Sequence, residues 1–369
     1  MIFVDGLPFS SFRRSSSSNQ PLGGCGTLTS LMKHPTLLTA SSSFKAMQET
    51  KIVLDGSGLQ SSAPTGRWVY VFQREYATAD PALVDFIGTD EATTCVGIVI
   101  WNPKNKMTSV AHMDSPKIVE IGLTQMLSRI INNMSDVDLD IHLIGGFQDA
   151  SLEHSDGSTR SNSHGKSDGY SLPLCSKIIQ TLEKRPERFH IRTLFVLEDN
   201  TIWDSKRNAR PIFHGFRVET SNGSVIPASF DRSSRCPDEI VRRIRVTASS
   251  DDPSWNGKLL ETYDTQKDRF VIEPCSWTEF LLHLASTFQR LSDAEILQDC
   301  STSPSAEGPD FVDNLRRGWD YLIENPQWKH TFPGRQPRIF ERTTDGGCWN
   351  KWKRCSPPQQ AAVLGARAP

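Results

Sequence analysis

CVGIVIWNPKNKMTSVAH, residues 95–112, sets two apolar, β-branched runs on either side of Asn102-Pro103-Lys104-Asn105. Val96 to Trp101 and Met107 to His112 read as strands, and the residues between them carry turn chemistry, so the stretch reads as an antiparallel hairpin. With 102–105 as its loop, Trp101 faces Lys106, and the pairing continues Val99 to Thr108, Gly97 to Val110 and Cys95 to His112. Directly opposed residues have Cβ atoms about 4.5–5.5 Å apart, which puts a thiol beside an imidazole. The other face then carries Val96, Ile98, Ile100, Met107, Ser109 and Ala111, mostly apolar and suited to a core. A slip of one residue would turn His112 into that core, so the apolar pattern supports the pairing. Gly97 shares the Cys/His face and is expected to flank an open cleft.

On either side of the hairpin, strands come in groups with helices after them, which describes an α+β layered fold. The opening 1–9 reads as a strand, Ser10–Gly26 as a linker and Leu28–Lys45 as short helices. The run RWVYVFQ within 66–74 reads as a strand, 117–134 as an amphipathic helix and Leu139–Ile144 as a strand ended by Gly145-Gly146. A helix over 172–184 and a strand over 190–198 follow. Pro211–Glu219 and Ser224–Phe230 flank Ser221-Asn222-Gly223, a hairpin signal. Leu259–Asp264 and Arg269–Glu273 form another. Helices are expected at 278–290, at 293–299 behind the capping box Ser292-x-x-Glu295, and at 310–324. Residues 1–345 read as one domain, interrupted near 151–171 by a Ser/Gly/His/Asp-rich surface insertion, and 346–369 read as a disordered tail.

Composition narrows the function classes. Of 369 residues, 37% are hydrophobic and 23% charged, with a net charge of −2 and no basic stripe, which argues against nucleic acid as a partner. No stretch reaches the roughly 20 apolar residues of a membrane span, and Met1–Phe9 lacks the pattern of a secretory signal. The eight cysteines are scattered with no CxxC, so neither a zinc knuckle nor a disulfide framework is expected. The reading is of reduced thiols in the cytoplasm, with the nucleus also open to the chain, and of no cofactor and no metal. Oligomeric state is not legible.

The chemistry-bearing pair is Cys95 and His112. A free thiol has a pKa near about 8.5, and an adjacent imidazole can take its proton and later return it to a leaving amine. A buried strand cysteine beside a core histidine would leave the same spacing, and the spacing does not separate the two. Thr89, just upstream, is the candidate for orienting the imidazole, and Asp90 and Glu91 stand ready for a positively charged group; a turn and strand entry explains them equally well. His142 reads as structural, and Gly145-Gly146-Phe147 as a strand end that could line a site. His154 and His164 in the insertion lack partners for a metal.

GTDEATTC (88–95), AHMDS (111–115), IHLIGGF (141–147), ASFD (228–231), PCSWTEF (274–280) and STSPSAEGPDFV (301–312) resemble, in the same order, the blocks of the eukaryotic protein N-terminal asparagine amidohydrolases. The resemblance runs from about residue 1 to 342, and MIFVDGLPF (1–9) is similar to the plant form. It implies hydrolysis of N-terminal asparagine to aspartate with release of ammonia, feeding the N-degron route. It also implies the α-β-β sandwich of the deamidating cysteine hydrolases, with mainly antiparallel sheets and helices packed outside. Carried over, Cys95 is the nucleophile, His112 the base and Thr89 the third member. The partners are then peptides and proteins with a free N-terminal asparagine, whose α-ammonium needs an acceptor among Asp90, Glu91 and Asp114. Ser276 and Trp277 are candidates to wall the pocket for the residue after asparagine, or else form a core tryptophan at a helix start. Rival readings are a deamidase or transglutaminase-like enzyme acting on internal glutamine, and a silent scaffold that binds N-termini. A cysteine peptidase is disfavoured, since no asparagine/histidine pair lies at the usual long distance.

Overall fold

The computed structural model describes residues 1–9, 24–54, 66–131, 137–150, 169–250, 252–255, 257–343 and 349–351. Most of the polar insertion, most of the expected linker and the tail from 352 lie outside the described residues. The central element is an eight-stranded sheet in the order Leu260–Glu261, Glu75–Ala79, Thr108–Met113, Val96–Trp101, Asp138–Gly145, Arg188–Val196, Ile2–Val4 and Leu7–Pro8. Val96–Trp101 sits in its middle, antiparallel to both neighbours, while Arg188–Val196 runs parallel to the strands on either side. The sheet is therefore mixed: antiparallel around the hairpin, parallel across Asp138–Gly145, Arg188–Val196 and Ile2–Val4, with an antiparallel pair at that edge and a parallel pair at the other.

The hairpin forms, with its register moved by two residues: Trp101 pairs with Thr108, Gly97 with His112 and Val96 with Met113. The cause is the turn. Asn102 stays in the ladder, its N–H donating to the Met107 carbonyl at 3.0 Å, and the loop is 103–106. The Asn102 side chain accepts from Lys104 N at 2.9 Å, and Lys106 takes the left-handed conformation at φ 60°. This is the Asx chemistry that lets asparagine begin a turn from its last extended position. A shift of two keeps every side chain on its expected face. Cys95, just before the strand, and His112 are thus diagonal neighbours on one face rather than directly opposed.

That face and its reverse meet different layers. Val96, Ile98, Ile100, Ala111 and Met113 pack, with partly buried Met107, against the helices Gly24–Met32, Val119–Ile130 and Ser171–Lys184. Leu123, Met126, Leu127, Ile178 and Leu182 supply the helical side; each is at most 2% exposed, and burying such a side chain contributes about 1.5–3 kcal/mol. On the Cys95/His112 face, Val99, Val110 and Ala77 meet a second, five-stranded sheet in the order Thr50–Ile52, Val225–Phe230, Phe216–Glu219, Phe86–Thr89 and Trp68–Tyr70. Gly97 lies between the sheets. A Cβ there would stand 2.2 Å from Cε1 of Phe216, so the space expected to be an open cleft is filled by that ring. Glycine is needed at this point because the second sheet approaches too closely for any side chain.

A four-stranded sheet (Tyr263–Asp264, Arg269–Ile272, Arg338–Arg342, Trp349–Lys351) and the helices Glu239–Ser249, Glu279–Phe288, Asp293–Cys300 and Phe311–Glu324 complete the described chain. The strands Thr50–Ile52, Phe86–Thr89, Thr201–Trp203, Arg338–Arg342 and Trp349–Lys351 escape the sequence reading, the last of them inside the expected tail, and two further omissions are linked. Glu75–Ala79 is a wholly buried strand that begins with a glutamate and carries two alanines. Glu239–Ser249 turns Arg242 and Arg245 inward beside Val241 and Ile244, which hides its amphipathic stripe. The two omissions are one event, since Glu75 and Arg242 form an ion pair with both side chains fully buried. Among the described residues no helix is long and apolar enough to cross a membrane.

Candidate active site

His112 is fixed from the second sheet. Thr89 ends the strand Phe86–Thr89, and its Oγ1 lies 2.8 Å from His112 Nδ1 on the first sheet. Both residues are buried, at 1% and 2% exposure. This hydrogen bond leaves Nε2 as the remaining ring nitrogen, and Nε2 is buried with no hydrogen-bond partner among the described residues. An imidazole held at one nitrogen and unsatisfied at the other is set to exchange a proton with whatever occupies the cavity it lines.

Cys95 lines the same cavity as His112. Its backbone is tied down by the strand end opposite: Gly146 N donates to the Cys95 carbonyl at 2.7 Å, and Ser171 Oγ to the Thr94 carbonyl at 3.4 Å. Gly145 has φ +113°, and a Cβ on it would stand 2.8 Å from the Cys95 carbonyl, so glycine is required for the approach. The Gly145-Gly146 pair thus ends a strand and anchors the cysteine loop at once. Thr94 Oγ1 is also 3.4 Å from Thr302 Oγ1, which joins the 88–95 and 301–312 blocks.

Burial governs the charges here. It pushes the Cys95 thiol well above its ordinary range, with Asp114 and Glu307 adding to the effect and Arg74 opposing it. It also pulls His112 down to about 4, against the opposing fields of Asp114 and Glu91. The resting pair is a neutral thiol and a neutral imidazole, so the ordinary thiol titration expected from spacing alone does not apply. For each group desolvation outweighs the opposing field of its charged neighbours, Arg74 for the thiol and Asp114 and Glu91 for the imidazole.

The three carboxylates proposed for an ammonium group fare differently. Asp90 is saturated: it accepts from Tyr70 Oη at 2.5 Å, Phe230 N at 2.7 Å and Arg235 Nη2 at 3.0 Å. Burial, then Glu91, raises its carboxyl to about 6. Glu91 accepts from Arg235, Arg243 and Asn314 Nδ2; burial works against its charge, but Arg243 and Arg235 prevail and hold it below its usual range. Both line the cavity, yet both are already neutralised by arginines. Asp114 differs. Its Oδ2 accepts from Arg74 Nε at 3.1 Å, Arg74 Nη2 at 2.8 Å and Gln73 Nε2 at 3.1 Å, while its Oδ1 is buried without a partner among the described residues. An unsatisfied buried carboxylate oxygen on a cavity wall costs about 1–3 kcal/mol or more unless a donor arrives.

Ser276 and Trp277 stand outside this cavity. Ser276 is exposed, and Trp277 is packed in the second core against Tyr321, with Nε1 donating to the carbonyls of Asn325 and Pro326. The core reading of this tryptophan is the one the packing carries. Residues that sequence reasoning passed over at the site are Arg74, Arg235, Arg243, His214, Glu307 and Asn314, all lining the cavity. Only Glu307 carried a signal, through its place in the 301–312 block; the arginines are defined by acids far away in sequence.

Residues 59–351 match the family model described as protein N-terminal asparagine amidohydrolase. The chain is 54% identical over 359 residues to the protein N-terminal asparagine amidohydrolase of Arabidopsis thaliana, covering 96% of this chain and all of that protein. It is 28% identical to the proteins of that description from Mus musculus and Homo sapiens, in each case over 85% of this chain and 91% of the relative.

Proposed function

The chain belongs to the protein N-terminal asparagine amidohydrolase family, and from that premise we propose that it converts N-terminal asparagine to aspartate through a thioester on Cys95, with His112 as base and acid. The observation that carries the mechanism is the imidazole bonded to Thr89 at Nδ1 and unpartnered at Nε2, in the cavity that Cys95 also lines. With Nδ1–H donating to Thr89, Nε2 is free to take the thiol proton as sulfur adds to the side-chain carboxamide carbon. Among the described residues no acceptor engages the backbone N–H groups of Thr93, Thr94 and Cys95, which are the donors at hand for the resulting oxyanion. His112 then gives its proton to the amide nitrogen, the carbon–nitrogen bond breaks and ammonia leaves. Water, deprotonated by His112, adds to the thioester; the carbon–sulfur bond breaks, and the thiolate recovers the proton. The aspartate so made is the N-terminus that the N-degron route consumes.

We read the helix–sheet–sheet layering as the α-β-β sandwich of the deamidating cysteine hydrolases. Support for it comes from the three residues themselves: His112 is borne by one sheet, Cys95 stands just before that sheet's central strand, and Thr89 is borne by the next sheet. As a positioning residue, Thr89 can be tested by Thr89→Val, which keeps the shape and removes the hydroxyl. Leaving Nδ1 unsatisfied is expected to lower kcat about 5- to 150-fold with KM little changed. Unchanged kcat would remove Thr89 from the mechanism.

Recognition of a free N-terminus falls to Asp114, whose unpartnered Oδ1 is the acceptor offered to an α-ammonium. A charge-assisted hydrogen bond of this kind is worth about 1.5–3 kcal/mol. Asp114→Asn is therefore expected to cut kcat/KM about 10- to 150-fold for an Asn-initiated peptide. Mass spectrometry of that peptide, its N-acetylated form and its Gln-initiated form tests the whole reading. The wild type should deamidate the first about 5- to 150-fold faster than the Gln-initiated form, since the extra methylene of glutamine costs roughly 1–3 kcal/mol in a fitted pocket, and should turn over the acetylated form far more slowly. Equal turnover of the acetylated peptide would favour an internal deamidase instead.

A further inference from the structure

The cavity around Cys95 measures about 690 Å³, far more than one asparagine residue fills and in the range of sites that enclose larger ligands. Several of its charged groups are bound to one another near Asp114 or where Asn314 meets Glu91: Arg74 with Asp114, and Arg235 and Arg243 with Glu91, while Glu49, Glu307 and Asp310 also line it. The helix Phe311–Glu324 leads away from Glu91. Asn314 anchors it by donating to Glu91 at 2.9 Å, and Leu315, Gly318, Trp319 and Leu322 continue the cavity wall over about 12 Å at the helical rise. Ile244 and Leu281 also line the cavity, so this extension is apolar.

Gly318 is the telling residue. It lies inside a helix, where glycine is less favourable than alanine. A Cβ built on it meets nothing within 4 Å, so neither a close approach nor a left-handed backbone explains it. What the glycine preserves is empty volume in an apolar arm.

Resting on the reading of this site as the asparagine site, we infer that the arm is a subsite for the side chain of the third residue of the substrate, and that it selects an apolar one. Successive side chains of an extended chain point to opposite sides, so the first and third project together. They stand about 7 Å apart along the chain, within the reach of the arm. With the asparagine amide at Cys95 and the α-ammonium at Asp114, we place the third side chain along the Phe311–Glu324 helix, which lines the same cavity.

The test compares kcat/KM of the full chain on Asn-initiated peptides in which glycine, leucine or aspartate stands at position three, and separately at position two. Leucine at position three is expected to exceed aspartate there by about tenfold or more, as burial of a leucine side chain implies. Gly318→Leu, which fills the arm, should bring the leucine-to-glycine ratio at position three close to one. Should that variant fail to fold, Leu315→Phe narrows the arm one turn earlier and should lower the same ratio. Leucine and aspartate turned over equally at position three, or a Gly318→Leu enzyme that keeps the full ratio, would overturn the subsite while leaving the asparagine reading intact. No turnover of any Asn-initiated peptide by the wild type would overturn both.

Discussion

Cys95→Ala is expected to abolish deamidation of Asn-initiated peptides, by at least about 1,000-fold in kcat, because no other group can carry the acyl intermediate. Cys95→Ser should do nearly the same, since a buried hydroxyl is harder still to deprotonate. Stability should change by about 1 kcal/mol or less, as expected for a small change at a cavity wall. Residual activity above about a tenth of wild type in Cys95→Ala would remove the nucleophile assignment. The resting charge state gives a second, independent readout. Burial holds Cys95 as a thiol above its ordinary pKa and His112 as a neutral imidazole down to about 4. Alkylation of the free enzyme at Cys95 by iodoacetamide should therefore be slow at neutral pH and still rising beyond pH ~8.5, the titration point of a free thiol. Rapid alkylation at pH ~6 would instead indicate a resting thiolate–imidazolium pair, of the kind seen where a cysteine is strongly activated before substrate arrives.

Arg242→Leu is expected to destabilise the fold by about 3–5 kcal/mol, read as a lower midpoint in urea denaturation. Arg242 and Glu75 are both 0% exposed. The guanidinium donates to Glu75 through Nε at 3.1 Å and Nη2 at 2.6 Å, and to the Tyr70 carbonyl at 2.6 Å, with the rings of Phe72 and Phe270 4.6 and 4.9 Å away. Removing it strands a buried carboxylate whose remaining donor among the described residues is Phe72 N. The double replacement Glu75→Gln with Arg242→Leu removes the charge as well and should recover a large part of the loss. If the single and double variants lose equal stability, packing rather than the stranded charge is the cause. Arg74, next to Glu75, holds Asp114 at the cavity, so the same variant should also weaken substrate binding.

These two sites differ in how they could be read. Cys95 and His112 were legible because alternation along two adjacent runs is a local property: parity assigns faces, and parity survived a two-residue shift of the turn. The capping box at Ser292 and Glu295 was legible for the same reason and is formed. By position Thr89, Thr93 and Thr94 all lie just upstream of the cysteine, and the six-residue spacing that singles out Thr89 is what the family resemblance implies. The role of Thr89 depends on a second sheet laid over the first, which no spacing specifies.

By itself the sequence determined the hairpin, its two faces, the succession of most helices and strands, and the family. Tertiary structure alone decided which of three neighbouring carboxylates keeps a free oxygen, since Asp90 and Glu91 are claimed by arginines 144 to 152 positions away. It also decided that Gly97 accommodates Phe216 rather than a substrate, that Trp277 belongs to the core, and that the Glu239–Ser249 helix turns arginines inward. The reason is physical. Backbone alternation and helical period are set by neighbours in the chain, whereas burial of a charge is decided by whether a partner arrives from elsewhere to neutralise it.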